Sequence, residues 1–312
     1  MPGEDTLLDA GQVAAILKVS RNTVYNLVHD GKLASHSVGR KMRFTRENVD
    51  DYIARTRGSK VPEARNSPSE ANEARSDRAP GFVFCIEGAD VVADLVAHYL
   101  GQAGLPVERR YMNSYRALAG MYRGDADASV IHLFDRKTGS YNIPYVQRIV
   151  PGTPLIVLHV ARRRVGLLVR AGNPKGLRKW RDLLHEDVKI ANRERGASDR
   201  VLLDEQLIAL EAPSRPLGYG DEFSSALTCA SFVASGVADA CIGSERTYHQ
   251  VEGLDFLPLL EEDIDLVVLK TSANERIIRF LKKALASRAF KEDIAGLPGY
   301  DSNRAGEVVY EV

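Results

Sequence analysis

Three stretches of this chain place small, hydroxyl- or amide-bearing residues directly before a helical pattern, an arrangement that offers unpaired backbone amides to an anion. Glu87-Gly88-Ala89 precedes one such helix, Asn113-Ser114 the next and Arg195-Gly196-Ala197-Ser198 a third. Ser114 and Ser198 are the hydroxyl donors of this set, and both fit equally well as plain N-caps. Asn192, Arg193 and Arg195 can add charge or amide contacts, and Tyr141 and Asn142 can close over a ligand. A second chemistry belongs to the N-terminal part. A helix over Arg21 to Asp30 buries Val24 with Leu27/Val28 and turns Arg21, Asn22, Tyr25, Asn26 and His29 outward, a face that suits a DNA major groove. Tyr25 fits packing inside the module as well. No paired acid and base or nucleophile and base stands out, so no catalytic residue is assigned.

The elements that must position these residues follow from punctuation and period. Val13, Ala14, Ile16 and Leu17 give a short helix an apolar face, Lys18-Val19 break it, and Ser20 is a good N-cap for the next. Gly31 stops that helix. Leu33 to Val38 and Lys41 to Phe44 read as two short strands around the basic turn Gly39-Arg40, and Thr45 caps a last helix with Val49, Tyr52 and Ile53 inward. Arg57 to Pro80 has almost no large apolar residue, cannot offset chain entropy, and reads as a flexible linker.

From Gly81 onward strands and helices alternate. Strands are expected at Phe82 to Ile86, Val107 to Tyr111, Ala128 to Leu133, Pro154 to Val160, Val165 to Val169, Val188 to Asn192 and Ala238 to Ile242. Helices are expected at Val91 to Leu100, Ser114 to Arg123, Leu177 to Leu184, Val201 to Leu210 and Ala226 to Ser235, with a strand-rich crossover at Leu257 to Lys270. This order predicts a parallel α/β sheet whose chain leaves one lobe and returns. Arg162-Arg163-Arg164 reads as a solvated turn between strands that could also line a cleft. His132 reads as a satisfied strand-end histidine, since no carboxylate partner lies near it in sequence.

The chain has 312 residues, 44% of them hydrophobic, enough for two or three domains of roughly 100–200 residues. Its formal net charge is zero, yet residues 18–60 hold ten Lys/Arg against four Asp/Glu, while residues 81–312 hold 29 against 31. Local charge is what phosphate binding needs. Cys85, Cys229 and Cys241 are widely spaced, with no CxxC or HExxH pattern, so neither a zinc site nor a disulfide framework is supported and they should be buried small hydrophobes. The N-terminal residues lack a basic stretch followed by an apolar one, and no run approaches the ~18 apolar residues of a membrane span; a cytoplasmic protein without membrane association is expected.

The VSRNTVY stretch at 19–25, the GKL step at 31–33 and the VGR turn at 38–40, followed by a closing helix, resemble the excisionase-type, MerR-like helix-turn-helix family. By position the resemblance implies that Arg21, Asn22, Thr23, Tyr25 and Asn26 lie at or near the groove, with Arg40, Lys41 and Arg43 on flanking phosphate or minor groove. Residues 81–312 resemble the type II periplasmic-binding-protein-like domain, in the branch fused to helix-turn-helix modules and molybdopterin-biosynthesis proteins. The residues that carry this are 123–127 (RGDAD), 131–133 (IHL), 139–144 (GSYNIP), 172–176 (GNPKG), 192–196 (NRERG), 234–240 (ASGVADA) and 297–301 (LPGYD). The implied fold class is α/β: a small winged helix-turn-helix domain over 1–56, a linker over 57–80 and a two-lobed effector-binding domain over 81–312, with the second lobe at about 171–255.

The implied function is a ligand-responsive one-component transcriptional regulator and not an enzyme. Its expected partners are double-stranded operator DNA, a second copy of itself in a dimer or higher homo-oligomer, and a small effector in the interlobe cleft. Gly88, Ala89, Asn113, Ser114, Tyr141, Asn142, Asn192, Arg193, Arg195, Gly196 and Ser198 would meet that effector. No cofactor is required, and molybdate, tungstate or a molybdenum-cofactor-related molecule are the effectors the resemblance suggests. Where relatives carry Gly-Ser-Gly-Thr-Arg, this chain has Gly196-Ala197-Ser198-Asp199-Arg200, so a carboxylate enters the loop and opposes a dianion unless Arg193, Arg195 or Arg200 neutralises it. A molybdopterin- or cofactor-handling protein and an excisionase-like DNA-architectural factor are the alternative readings.

Overall fold

A computed structural model describes residues 8–17, 24, 33–38, 41–46, 48, 49 and 83–312. The chain divides into two compact units, Met1–Asn66 and Ser67–Val312.

In the first unit, helix α1 (Ala10–Leu17) starts at a reciprocal cap. The Asp9 carboxylate accepts from Gly11 N at 2.7 Å and Gln12 N at 2.9 Å, while the Gln12 side chain accepts from Asp9 N at 2.9 Å. Strands β1 (His36–Val38) and β2 (Lys41–Arg43) pair antiparallel with Val38 opposite Lys41, the two short strands expected from the sequence. Leu8 and Phe44 exchange backbone bonds of 2.7 and 3.0 Å. Thr45 and Asn48 cap one another, each side chain accepting from the other's N–H at 3.2 Å, which starts the next helix. Val13, Val24, Leu33, Phe44 and Val49 close the small core. Arg21, Asn22, Thr23, Tyr25, Asn26 and Arg40, and the linker at 57–80, lie outside the described residues; Lys41 and Arg43 lie on β2.

The second unit begins with strand β3 (Phe84–Gly88), helix α2 (Val91–Gln102), strand β4 (Val107–Tyr111), helix α3 (Ser114–Arg123) and strand β5 (Ala128–Ile131). A small ribbon of β6 (Phe134–Asp135) and β7 (Ser140–Tyr141) leads into α4 (Ile143–Ile149). Strand β8 (Leu155–Arg170) follows, then β9 (Asn192–Arg193), α5 (Ser198–Ala209), β10 (Glu222–Phe223), α6 (Ala226–Ala234), β11 (Ala240–Ser244), α7 (Glu245–Gln250) and β12 (Leu254–Leu269). Helices α8 (Glu275–Leu285) and α9 (Arg288–Ala295) and strands β13 (Tyr300–Asp301) and β14 (Val308–Glu311) complete it. Helix spacing explains the packing: Val92, Ala93, Val96 and Leu100 put one apolar face of α2 on the sheet, and Ile277, Leu281, Ala284 and Leu285 do the same for α8.

The main sheet runs β11-β8-β12-β5-β3-β4, with β13 and β14 also on β8. Only the β3/β4 and β3/β5 pairs are parallel; β12 runs antiparallel to both β5 and β8, so the wholly parallel sheet expected from the sequence is corrected to a mixed one. The cause is that Pro154 to Val160 and Val165 to Val169 are not two strands. They form the single 16-residue β8, paired along its length with the 16-residue β12. The first half of β8 and the last of β12 (Ile156, Leu158, Val160; Ile264, Leu266, Val268) lie in one core. The other halves (Val165, Leu167, Val169; Leu257, Leu259) pack against α5 in another. The two strands therefore thread both lobes. Of the expected helix at Leu177 to Leu184 only a 3-10 turn over Trp180–Leu184 forms, and of the strand at Val188 to Asn192 only bridges at Lys189 and Ile190 precede β9.

Arg162-Arg163-Arg164 is not a solvated turn. It lies in the middle of β8, with each Arg opposite an acid of β12: Arg162 with Asp263, Arg163 with Glu262 and Arg164 with Glu261. Arg163 is buried, whereas Arg164 reaches out to Glu245 at 2.6 Å.

Asn142, at the start of α4, ties this crossing to the first lobe. It is fully buried with φ 64°; its carbonyl accepts from Leu133 N at 2.7 Å and its amide donates to Asp263 O at 3.0 Å and Asp265 Oδ2 at 2.8 Å. Asn142→Ala orphans all three partners, and a buried unsatisfied group costs ~1–3 kcal/mol. A clear fall in the urea midpoint of the full chain is expected; an unchanged midpoint would remove Asn142 from the frame.

Candidate ligand-binding cleft

A cavity of about 540 Å³ lies between the lobes. The first lobe supplies Ala89, Asp90 and Val91 at the start of α2, Tyr111, Met112 and Asn113 between β4 and α3, and His132 just after β5. The second supplies Arg193, Glu194, Asp199, Ser224 to Leu227, Ser244, Arg246, Thr247 and Gln250, with Arg163 of β8 between them. These are loop and helix starts beyond strand ends, where such folds gather polar groups.

The buried floor is one network. Arg163 donates to Glu262 and Asp90 in close ion pairs and to the Tyr300 hydroxyl at 2.8 Å; that hydroxyl donates to Asp90 at 2.9 Å. His132 Nδ1 lies 3.3 Å from Glu262 Oε2, so the histidine has a carboxylate partner after all, 130 residues away in sequence. Its Nε2 makes no hydrogen bond among the described residues, and His132 lines the cavity. Burial pushes the Glu262 carboxyl up, but Arg163 and then His132 outweigh it and hold it at about 2. Burial likewise works against the charge on Arg163, and Glu262, Tyr300 and Asp90 raise its pKa well above the ordinary value.

The lobes also touch directly. Ser114 Oγ and Ser198 Oγ share a buried 2.7 Å hydrogen bond, Asn113 Nδ2 donates to Glu194 Oε1 at 3.0 Å, and Tyr115 N donates to Gly196 O at 3.2 Å. The two serines are thus brought together across the cleft but face each other and do not line the cavity. Neither is an N-cap: Asn113 caps α3 by accepting from Arg116 N, and Ala197 holds that place before α5. Gly196 sits at φ +88°, and a Cβ there would lie 2.8 Å from Asn113 Oδ1 and 3.2 Å from Tyr115 Cβ.

The other residues singled out in the sequence are placed as follows. Ala89, Asn113 and Arg193 line the cavity, and Gly88 adjoins it. Arg193 donates to Phe223 O and Ser224 O and lies 3.3 Å from Asp199. Burial raises the Asp199 pKa, with Arg193 opposing. Asn192 is spent inside its lobe on Tyr219 O, Arg195 is exposed and paired with Glu222 at 3.3 Å, and Arg200 reaches Asp204 and Glu222. Tyr141 packs its ring on Phe134, with its hydroxyl buried and unpartnered, and Asn142 is the frame residue described above. Sequence reasoning missed Asp90, Glu262, Arg246, Ser225, Ser244 and Thr247. Ser244-Glu245-Arg246 repeats the strand, serine, helix order that marked the other loops and could have been found by it. Glu262 carries no local signal, because only the pairing of two strands a hundred residues apart brings it to His132 and Arg163. Cys85, Cys229 and Cys241 are buried free thiols, and among the described residues no three His, Cys, Asp or Glu side chains are gathered to hold a metal. No helix of the described residues is long and apolar enough to cross a membrane.

Glu262 is stabilising in its charged form, because its folded pKa lies below its ordinary value; that stability is present above about pH 4.5 and lost as pH falls towards about 2. Glu262→Gln leaves Arg163 under-paired, and breaking a buried pair costs ~3 kcal/mol or more. Denaturant titrations should show that loss at neutral pH and a flatter acid limb; a full-strength acid limb in the variant would exclude Glu262 as its source. Gly196→Ala should hold the lobes apart, lengthening the distance between spin labels at the exposed Tyr122 and Leu217; an unchanged distance would show that the contact yields without opening the cleft.

The family model described as "PBP superfamily domain" matches residues 97–286, and one described as "Helix-turn-helix domain" matches residues 7–57. The chain is 40% identical over 303 residues to "Uncharacterized protein YvgK" of Bacillus subtilis (strain 168), covering 96% of each. It is also 39% identical over 113 residues to the "Uncharacterized protein in ferredoxin 2Fe-2S gene 5'region" of Clostridium pasteurianum, covering 36% of this chain and all of that one. Among solved structures, a crystal structure of a full-length BenM mutant is similar in fold, with TM-score 0.50, 11% identity and 90% of each chain covered. A helix-turn-helix domain ahead of a two-lobed domain is the architecture of a DNA-binding regulator, and the chain belongs to the PBP superfamily domain family.

Proposed function

We propose that this protein is a one-component transcriptional regulator whose helix-turn-helix domain binds operator DNA and whose interlobe cavity binds a small effector. The observation that carries the reading is the joining of a helix-turn-helix domain to a unit whose cavity of about 540 Å³ is walled by both lobes. That volume is within the ~300–1,000 Å³ range of small-molecule sites. An effector touching both lobes binds the closed arrangement more tightly than the open one, which is the differential affinity a switch requires, typically ~1–3 kcal/mol. Molybdate, tungstate and molybdenum-cofactor-related molecules are the effectors suggested by the resemblance of the sequence, with Ala89, Asn113 and Arg193 meeting the ligand and Ser114, Ser198 and Gly196 holding the closed state.

On the DNA side, Arg21, Asn22, Thr23, Tyr25 and Asn26 are assigned to the groove and Arg40, Lys41 and Arg43 to phosphate. A dimer would place two such helices on half-sites ~34 Å apart. In vitro selection from random duplexes with the full chain tests this; recovery of no preferred sequence would sink the regulator reading. With a selected operator, the Arg40→Ala, Lys41→Ala double variant should bind more weakly and lose ~0.9 of the log affinity versus log salt slope per phosphate contact removed. An unchanged slope would take the strand turn off the backbone.

A further inference from the structure

We propose that the effector of the cleft is an organic anion carrying a single negative charge, such as a carboxylate, together with hydrogen-bond donors, and that Arg246 of the second lobe is its anion anchor. This rests on the reading of the cavity as an effector site. Three guanidinium groups line it, and two are already committed. Arg163 serves Asp90, Glu262 and Tyr300, and Arg193 serves two backbone carbonyls and Asp199. Arg246, half-buried at the second residue of α7, makes no hydrogen bond or ion pair among the described residues. A guanidinium left open in a cavity takes a planar carboxylate through two parallel N–H bonds.

The remaining groups limit the charge the ligand can bring. Asp90, Glu194 and Asp199 also line the cavity, so one open cation faces three carboxylates, two of which are ion-paired. Among the described residues Glu194 has no cationic partner, and its side chain holds only the Asn113 amide, through one of its two oxygens. A tetrahedral dianion would therefore meet more negative charge than Arg246 can offset, whereas a monoanion with hydroxyl groups also supplies protons to the open acceptors. His132 is an independent pointer to a ligand: it lines the cavity at 8% exposure, Glu262 holds its Nδ1, and its Nε2 has no partner among the described residues. The Ser225 hydroxyl ahead of α6 makes no capping bond and is open as well. A ligand bound by Arg246 on one lobe and His132 on the other spans the cleft.

Thermal unfolding of the full chain provides the test, using glycolate, lactate and 4-hydroxybenzoate as monocarboxylate probes against molybdate, sulfate and phosphate. At least one carboxylate should raise Tm, with its Kd weakened ten-fold or more in Arg246→Gln and unchanged in the surface variant Arg288→Gln. Stabilisation by the oxyanions alone, or carboxylate binding indifferent to Arg246→Gln, overturns the proposal; where no probe binds, a metabolite extract decides. A protein-free metabolite extract of the source cells separates this failure from that of the effector reading. If the extract stabilises the chain and its activity elutes from an anion exchanger with monocarboxylates, the proposal is supported. If the activity passes unretained or elutes with sulfate and phosphate, the proposal falls and the effector reading stands; no stabilisation by extract or probes removes both.

Discussion

The guanidinium of Arg163 is the group on which the two-lobed unit depends. Removing a cation and two carboxylates from water costs several kcal/mol per ion, and only close pairing with further hydrogen bonds offsets it. Glu262, Asp90 and Tyr300 provide that pairing, and they come from β12, the cap of α2 and β13. One side chain in the middle of β8 thus fixes the long pair β8/β12, the start of α2 and strand β13 at one point. Two carboxylates around one guanidinium also leave the floor of the cleft with no spare positive charge. The same interaction that holds the lobes' shared strands therefore sets the electrostatics of the cavity above it.

Why the crossing is built from charge follows from geometry. Strand β8 is apolar on either side of its charged run, at Leu155 to Leu158 and Val165 to Val169, and the one polar residue within the first lobe, His159, is paired with Asp265 of β12 at 2.9 Å. Three arginines of that run meet three acids in register, so a slip by one residue would put Arg163 opposite the wrong partner as well as turn the apolar set to the other face. The charged segment fixes the register that two separate cores then share.

Local pattern made much of this legible. Val107 to Tyr111 and Ser114 to Arg123 are found at the bounds their periodicity and caps predict, and Thr45 caps the helix it was expected to cap. The errors share a cause. Arg162-Arg163-Arg164 interrupts an apolar run, and a charge run is ordinarily solvated, so one strand was read as two and the sheet as parallel. Nothing near Arg163 in sequence announces Glu262 or Asp90; the partners become visible only once β12 is laid against β8. His132 stands at the strand end as expected, but its Glu262 partner is hidden for the same reason. Ser114 and Ser198 stand at helix starts, as their sequence context predicts, yet nothing in their spacing says that they bond one another.

That last contact shapes how the cleft can work. Ser114 with Ser198, Asn113 with Glu194 and Tyr115 with Gly196 join the lobes through protein groups alone, and hydrogen bonds of this kind contribute only ~0.5–1.5 kcal/mol each. Closure supported by these bonds, and by Arg136 and Tyr145 of the first lobe on Glu205 of α5, is a balance that a ligand can shift, since an effector gripping both walls need add only ~1.4 kcal/mol of preference for a ten-fold change in population. The tightness at Gly196 makes the balance steep: with no room for a Cβ, the lobes meet at this edge or the bonds are lost together. The protein contacts occupy one edge of the cleft, and the open groups, Arg246, Ser225 and His132 Nε2, lie around the cavity beside it. On that arrangement the chain supplies the geometry of closure and leaves to the ligand the charge that the cavity has not matched.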